Sequence, residues 1–297
     1  MGKYLILNCD DFGVSDWHNE AMMKLMKHKK VSSATLIVAG EAAERAAVWA
    51  VQNKDCAVGL HIAFTTEWVE DKYRFKPLSA EPSLCCTDGL YMHRNSSQVS
   101  DNATPQAVDK EIEMQFAQMH KWGVDISHAD NHMGSVYGND GRNGFLPQVF
   151  KHCIINNVGF RLPKEKYVEH HNMEQNPKYA EMIRPAIELA AQSNVFLPDY
   201  LIWHDFSPKK DETYKTFKAS LIEKLTTIPE NIIVETYIHP SVESDVVKFN
   251  FPSYPKRVWE YELFFDPDMD YAIKESGVKL ITYKEGIELR KQGLCKN

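Results

Sequence analysis

Asn8-Cys9-Asp10-Asp11-Phe12-Gly13 decides how the rest of the chain is read. It follows Tyr4-Leu5-Ile6-Leu7, an apolar run of the kind that forms a strand buried on both faces. Gly13 breaks that run, and Ser15 is placed to cap an amphipathic helix carrying Ala21, Met22, Leu25 and Met26. Two adjacent carboxylates therefore stand where a buried strand gives way to a loop. Parallel α/β folds build their active sites at that end of a strand. Successive strand residues face opposite sides, so Asp10 and Asp11 are expected to do different jobs. A plainer reading is also open: one aspartate closes the turn through its own backbone hydrogen bonds and the other is solvated.

The same alternation continues downstream. Strand-like runs recur at 34–38, 57–62, 124–127, 158–162, 199–203, 232–238 and 278–282, with helical spacing between most of them. About eight strand–helix units, without an internal repeat or a linker, predict one domain over residues 1–297. Its expected fold is an irregular (β/α) TIM-like barrel. An open doubly wound sheet comes second, weakened by the lack of any G-x-G-x-x-G after a strand. Residues 64–103 break the rhythm and are too long for a plain connection, which predicts a long loop insertion.

Composition narrows the function classes. The net charge of −7 comes from acidic and basic residues mixed along the chain, so no basic face awaits a nucleic acid. No apolar run approaches the ~18 residues of a membrane span. The first strand begins at Tyr4, which leaves no room for a signal peptide. Cys9, Cys56, Cys85, Cys86, Cys153 and Cys295 show no C-x-x-C spacing, and the expectation is reduced thiols in a cytoplasmic protein. The motifs of serine hydrolases, P-loop kinases and zincin proteases are all missing.

The predicted strand ends collect the residues that could carry chemistry. The first gives Asp10 and Asp11, the third His61, the fourth His128, Asp130 and His132, the fifth Arg161, the sixth His204 with Asp205, and the seventh His239. In a barrel all of these face one mouth. Any single histidine at such a place is more often a hydrogen-bonded core residue than a ligand, and Arg161 alone would be an ordinary carboxylate partner. Together they point to a divalent-metal site, because one aspartate with two histidines leaves positions open for water and substrate. His128, Asp130 and His132 alternate along one face, which suits either a ligand set or a ligand histidine with a carboxylate behind it.

These blocks resemble the YdjC-like carbohydrate deacetylases, the family of chitooligosaccharide deacetylase. The likeness runs through Asn8 to Gly13, Ser32-Ser33-Ala34-Thr35-Leu36 with Gly40, Gly59-Leu60-His61 and His128-x-Asp130-x-His132. It continues through Phe160-Arg161, Ile238-His239-Pro240 and Arg257 with Glu262-Leu263. The resemblance implies removal of an N-acetyl group from a short amino sugar with one divalent ion, magnesium or zinc. It places the metal ligands on Asp11, His61 and His132, the general base on Asp10 and the general acid on His239. Arg161 becomes a substrate contact, and His128 and Asp130 stand behind the ligands. The expected partners are a small N-acetylated sugar and, since relatives are often dimers, a second copy of the chain as an option; nucleic acid and membrane are not expected. Where the family has further histidines after H-x-D-x-H, this chain has Met133-Gly134-Ser135-Val136-Tyr137. Trp68, Tyr73, Phe75 and Tyr91 lie in the insertion; they either stack on sugar, with Trp68 as the first candidate, or anchor the loop to the barrel wall. A metal-independent glycoside hydrolase and a sugar-binding protein without catalysis are the alternatives.

Overall fold

The computed structural model describes residues 2–138, 144–162, 165–167, 177–251 and 253–295. Its centre is β1 (Lys3–Phe12), whose residues from Leu5 onward are buried. On one side follow β2 (Ser33–Leu36), β3 (Ala57–Ile62), β4 (Ile126–Asn131) and β5 (Gly159–Phe160). On the other side lie β8 (Ile233–Ile238), β7 (Tyr200–Ile202) and β6 (Glu165–Tyr167), while β9 (Val278–Leu280) pairs with the start of β1. Every pairing is parallel. Chain order thus runs around a ring that begins and ends at β1, as in a barrel and unlike a doubly wound sheet. Among the described residues no ladder joins β5 to β6, so the barrel is curled rather than closed. The eighth place in the ring belongs to β6 and not to the expected run at 278–282, which supplies β9.

The first helix, Asp16–Lys27, buries Ala21, Met22, Leu25 and Met26 as its spacing predicts. Ser15 occupies the N-cap position, but its hydroxyl meets His18 Nδ1 at 2.7 Å instead of capping the backbone. Thr104 does cap the helix Pro105–Trp122, accepting from the Ala107 amide. No described helix is long and apolar enough to cross a membrane.

One departure from ideal strand geometry shapes everything at the mouth. Between the pairs Cys9↔Ala34 and Phe12↔Leu36, β1 spends one more residue than β2. This is a β-bulge, and Asp11 within it has φ 70°, the left-handed region that non-glycine residues rarely adopt. Strict alternation would send Asp10 and Asp11 to opposite faces; the bulge turns both carboxylates into one cavity. Backbone strain of this kind gathers at functional sites.

The 64–103 segment is ordered around its aromatics, with 3-10 turns at Asp71–Tyr73 and Pro82–Leu84 and a helix at Ser96–Asn102. Trp68, Tyr73 and Phe75 are buried in a satellite core with Val247 and Phe251. Trp68 is 1 % exposed, so its expected stacking on sugar gives way to the anchoring role. Tyr91 lies outside that core with its ring under Arg74, 3.9 Å away.

Candidate active site

The C-terminal ends of β1, β3, β4 and β8 open into a cavity of about 490 Å³ that Asp10, Asp11, His61, His132, Arg161 and His239 all line. A larger hollow, about 1190 Å³, lies between outer helices and collects none of these residues.

The expected ligands share one design: each is tied down through one atom and leaves another bare. Asp11 Oδ2 accepts from Arg257 Nη1 at 2.9 Å, while its Oδ1 is buried without a hydrogen bond. His61 Nδ1 lies 2.6 Å from Asp130 Oδ1, so its Nε2 faces Asp11 Oδ1 at 3.6 Å. His132 Nε2 meets Glu67 Oε2 at 2.9 Å, so its Nδ1 faces the same oxygen at 3.2 Å. If each imidazole donates its N–H to the carboxylate behind it, the lone pairs of the other two nitrogens point at Asp11. The three donor atoms lie within 4.8 Å of one another. An orphaned buried oxygen between two oriented imidazoles fits a divalent cation, with the carboxylate-backed histidines typical of metal sites. Asp10, His61 and Asp130 are spaced as closely. Their oxygens are already committed, Asp10 to Arg161 and Asn8, and Asp130 to His61, Thr35 and Arg161.

Arg161 lines the cavity with its donors committed to carboxylates. Its Nη1 and Nη2 grip the two oxygens of Asp10 at 2.7 and 2.8 Å, Nη2 also lies 2.8 Å from Asp130, and Nε donates to Glu235 at 2.7 Å. It is 3 % exposed and acts as the clamp that aims Asp10. Asp130 stands behind His61 as expected. His128 does not join it: its ring stacks on Tyr283 at 4.1 Å and its Nδ1 meets Ser127. Gly59 makes room for that ring, since a Cβ there would lie 2.7 Å from His128 Nδ1. His239 ends β8 with its ring against Phe206. Its backbone N–H donates to Glu260, which also holds His204 Nε2, and this keeps His204 out of the cavity lining. Asp205 pairs with Lys209 at the surface.

Charge inside the cavity sets the proton positions. Burial alone would lower the pKa of His132, but Glu67 and Asp11 outweigh it and raise the value to about 10. Burial likewise opposes the charged form of His61, and Asp130 and Asp10 turn the shift upward. Asp11 stays well below the usual carboxylate range because Arg257 and His132 overcome its burial. His239 is lowered by burial, with Asp11 opposing. The raised pKa of His132 leaves a proton there at neutral pH, and an ion bound through its Nδ1 would have to displace it. Divalent-ion affinity is expected to rise as pH rises toward 10, by about tenfold per unit for each proton released. Calorimetry in buffers of different ionisation enthalpy measures this; flat affinity from pH 6 to 9 with no proton release would contradict it.

Three side chains that hold the cluster together were given no role from the sequence. Arg257, from the helix Tyr254–Leu263, holds Asp11. Glu235 had a signal, an acid inside the apolar run Ile232–Ile238, and it proves to be 0 % exposed between Arg161 and Tyr283. Glu67 had none, because its loop follows no period.

Residues 4–275 match the family model described as YdjC-like protein. The chain is 27% identical over 290 residues to a carbohydrate deacetylase of Geobacillus stearothermophilus, spanning 97% of this chain and 100% of that one. It is 32% identical over 138 residues to a chitooligosaccharide deacetylase of Serratia marcescens, spanning 44% of this chain and 50% of that one. A crystal structure from Enterococcus faecalis V583, named for a candidate cellobiose-phosphate cleavage protein, superposes with a TM-score of 0.72 at 21% identity. It covers 96% of this chain and 99% of that one, and so shares the fold. With the match running from β1 to the helix before β9, the chain belongs to the YdjC-like family.

Proposed function

We propose that this protein is a metal-dependent deacetylase that removes the acetyl group from the nitrogen of a short N-acetylated amino sugar. The observation that carries the reading is the convergence of bare donor atoms from Asp11, His61 and His132 beside an aimed Asp10. The names of the Geobacillus and Serratia relatives support the substrate class. A divalent ion held by those three residues would polarise the amide carbonyl and make a bound water acidic. Asp10, fixed by Arg161 and Asn8, is placed to take the water's proton. His239 delivers a proton to the departing nitrogen, because an amine anion is too basic to leave unassisted. Burial lowers its pKa, so at neutral pH the ring is mostly neutral. It must first receive a proton, such as the one Asp10 takes from water, before its charged form acts as a strong donor. Trp203, 55 % exposed, with Phe206 and Tyr237 forms an aromatic wall of the same cavity, and sugar stacking is assigned there in place of Trp68.

A metal-independent glycosidase needs one carboxyl kept protonated as an acid. Here Arg257 favours the ionised form of Asp11, and both oxygens of Asp10 are taken up by the Arg161 guanidinium. The test is an acetate-release screen over N-acetylated sugars, using metal-stripped protein with and without added zinc or magnesium. Acetate released only with metal is expected. Cleavage between sugars in the presence of a chelator would favour the glycosidase, and tight sugar binding without acetate would favour a binding protein.

A further inference from the structure

We infer that Glu67 is a positioning residue for the metal site, and that through it the 64–103 segment controls how tightly the ion is held. The inference rests on the reading above that Asp11, His61 and His132 bind a divalent ion.

The two histidines are oriented by different means. His61 sits in β3 directly beside Asp130 of β4, a pairing fixed by strand register. His132 lies beyond the end of β4 in a 3-10 turn, next to Met133 at φ 53°, so no register fixes its ring. What holds the ring is the Glu67 carboxylate on Nε2, which leaves Nδ1 toward Asp11. Glu67 is in turn fixed from both sides. The Thr66 amide donates to His93 O at 2.8 Å and the Phe75 amide donates to Thr66 Oγ1 at 3.0 Å. Trp68 is wedged against Phe251 at 4.0 Å and Tyr73 at 4.9 Å. The amides of Val69 and Glu70 donate to Asn250 Oδ1 at 3.2 and 3.0 Å. Asn250, at the end of the helix Asp245–Asn250, thus clamps the backbone just after Glu67 without lining the cavity. The geometry gives His132 the partner that strand pairing gives His61, and draws it from outside the barrel.

The test is zinc titration of metal-stripped protein by calorimetry, with folding followed by circular dichroism. Carboxylates behind a ligand histidine are typically worth 10–100-fold in metal affinity. Glu67→Ala should therefore bind zinc about 10–100-fold more weakly than wild type. Glu67→Gln, which keeps an acceptor for Nε2–H, should recover part of the loss. Asn250→Ala should weaken binding in the same direction while leaving every cavity side chain in place. Wild-type binding of one ion with Glu67→Ala within twofold of it would overturn the inference alone. Loss in Glu67→Ala with none in a folded Asn250→Ala would overturn control by the segment. Absence of any ion binding by wild type, matched by Asp11→Ala, would overturn the proposed function itself.

Discussion

Asp10→Asn is expected to lower acetate release by about 10²–10⁴-fold while leaving divalent-ion binding in place. His61→Ala should lose both. The two residues share a cavity but not a task. Asp10 has both oxygens facing Arg161, and its nearer approach to His61 Nε2 is 3.9 Å. Asparagine keeps the shape and one acceptor oxygen, and Arg161 retains Asp130 and Glu235, so the clamp survives the substitution. What disappears is the charge able to take a proton. His61, by contrast, contributes a donor atom to the cluster around Asp11 Oδ1. Metal content by atomic absorption beside the acetate rate separates the outcomes. Equal metal loss in both variants would overturn the division of labour.

Trp68→Ala is expected to destabilise the protein by about 3–5 kcal/mol, the usual cost of emptying a large buried aromatic site. Trp68 is enclosed by Tyr73, Phe251 and His18 in a satellite core that it shares with Phe75 and Met92. Urea denaturation reads the loss, and hydrogen exchange should show it first in 64–103, where the packing is local. An unchanged midpoint would return Trp68 to the cavity and overturn the description of this segment as scaffold.

Why that aromatic could not be placed from the sequence is a matter of distance along the chain. Tryptophan suits a sugar platform and a core alike, and the choice is made by Val247 and Phe251, which arrive from the far end of the fold. The parts that were legible obey local rules. Buried runs of strand length gave the barrel and ligand-type residues gathered at their ends, while the choice of Asp11, His61 and His132 among them came from the family resemblance. The bulge was not legible, because an extra residue in a ladder shows only against the partner strand; alternation therefore set Asp10 and Asp11 apart when the chain brings them together. Arg161 was read as a substrate contact because nothing near it in sequence reveals three carboxylates waiting across the ring. His128 shares its periodicity with Asp130, yet the space left at Gly59 draws its ring away toward Tyr283.

The clamp around Arg161 also fixes the electrical character of the cavity. Among the described residues, Asp10, Asp11 and Glu67 at the cavity, with Asp130 and Glu235 behind it, the last lifted by burial to about 7, are met by Arg161 and Arg257 as permanent cations. A divalent ion held there would bring the carboxylates of Asp10, Asp11, Asp130 and Glu67 close to balance with the two guanidiniums. Without the ion the excess of carboxylates repels acids, whereas an uncharged acetamido sugar meets no such penalty. Acetate and other small anions should therefore bind the metal-free cavity poorly and bind better once an ion is loaded, a difference that competition assays with and without zinc would read.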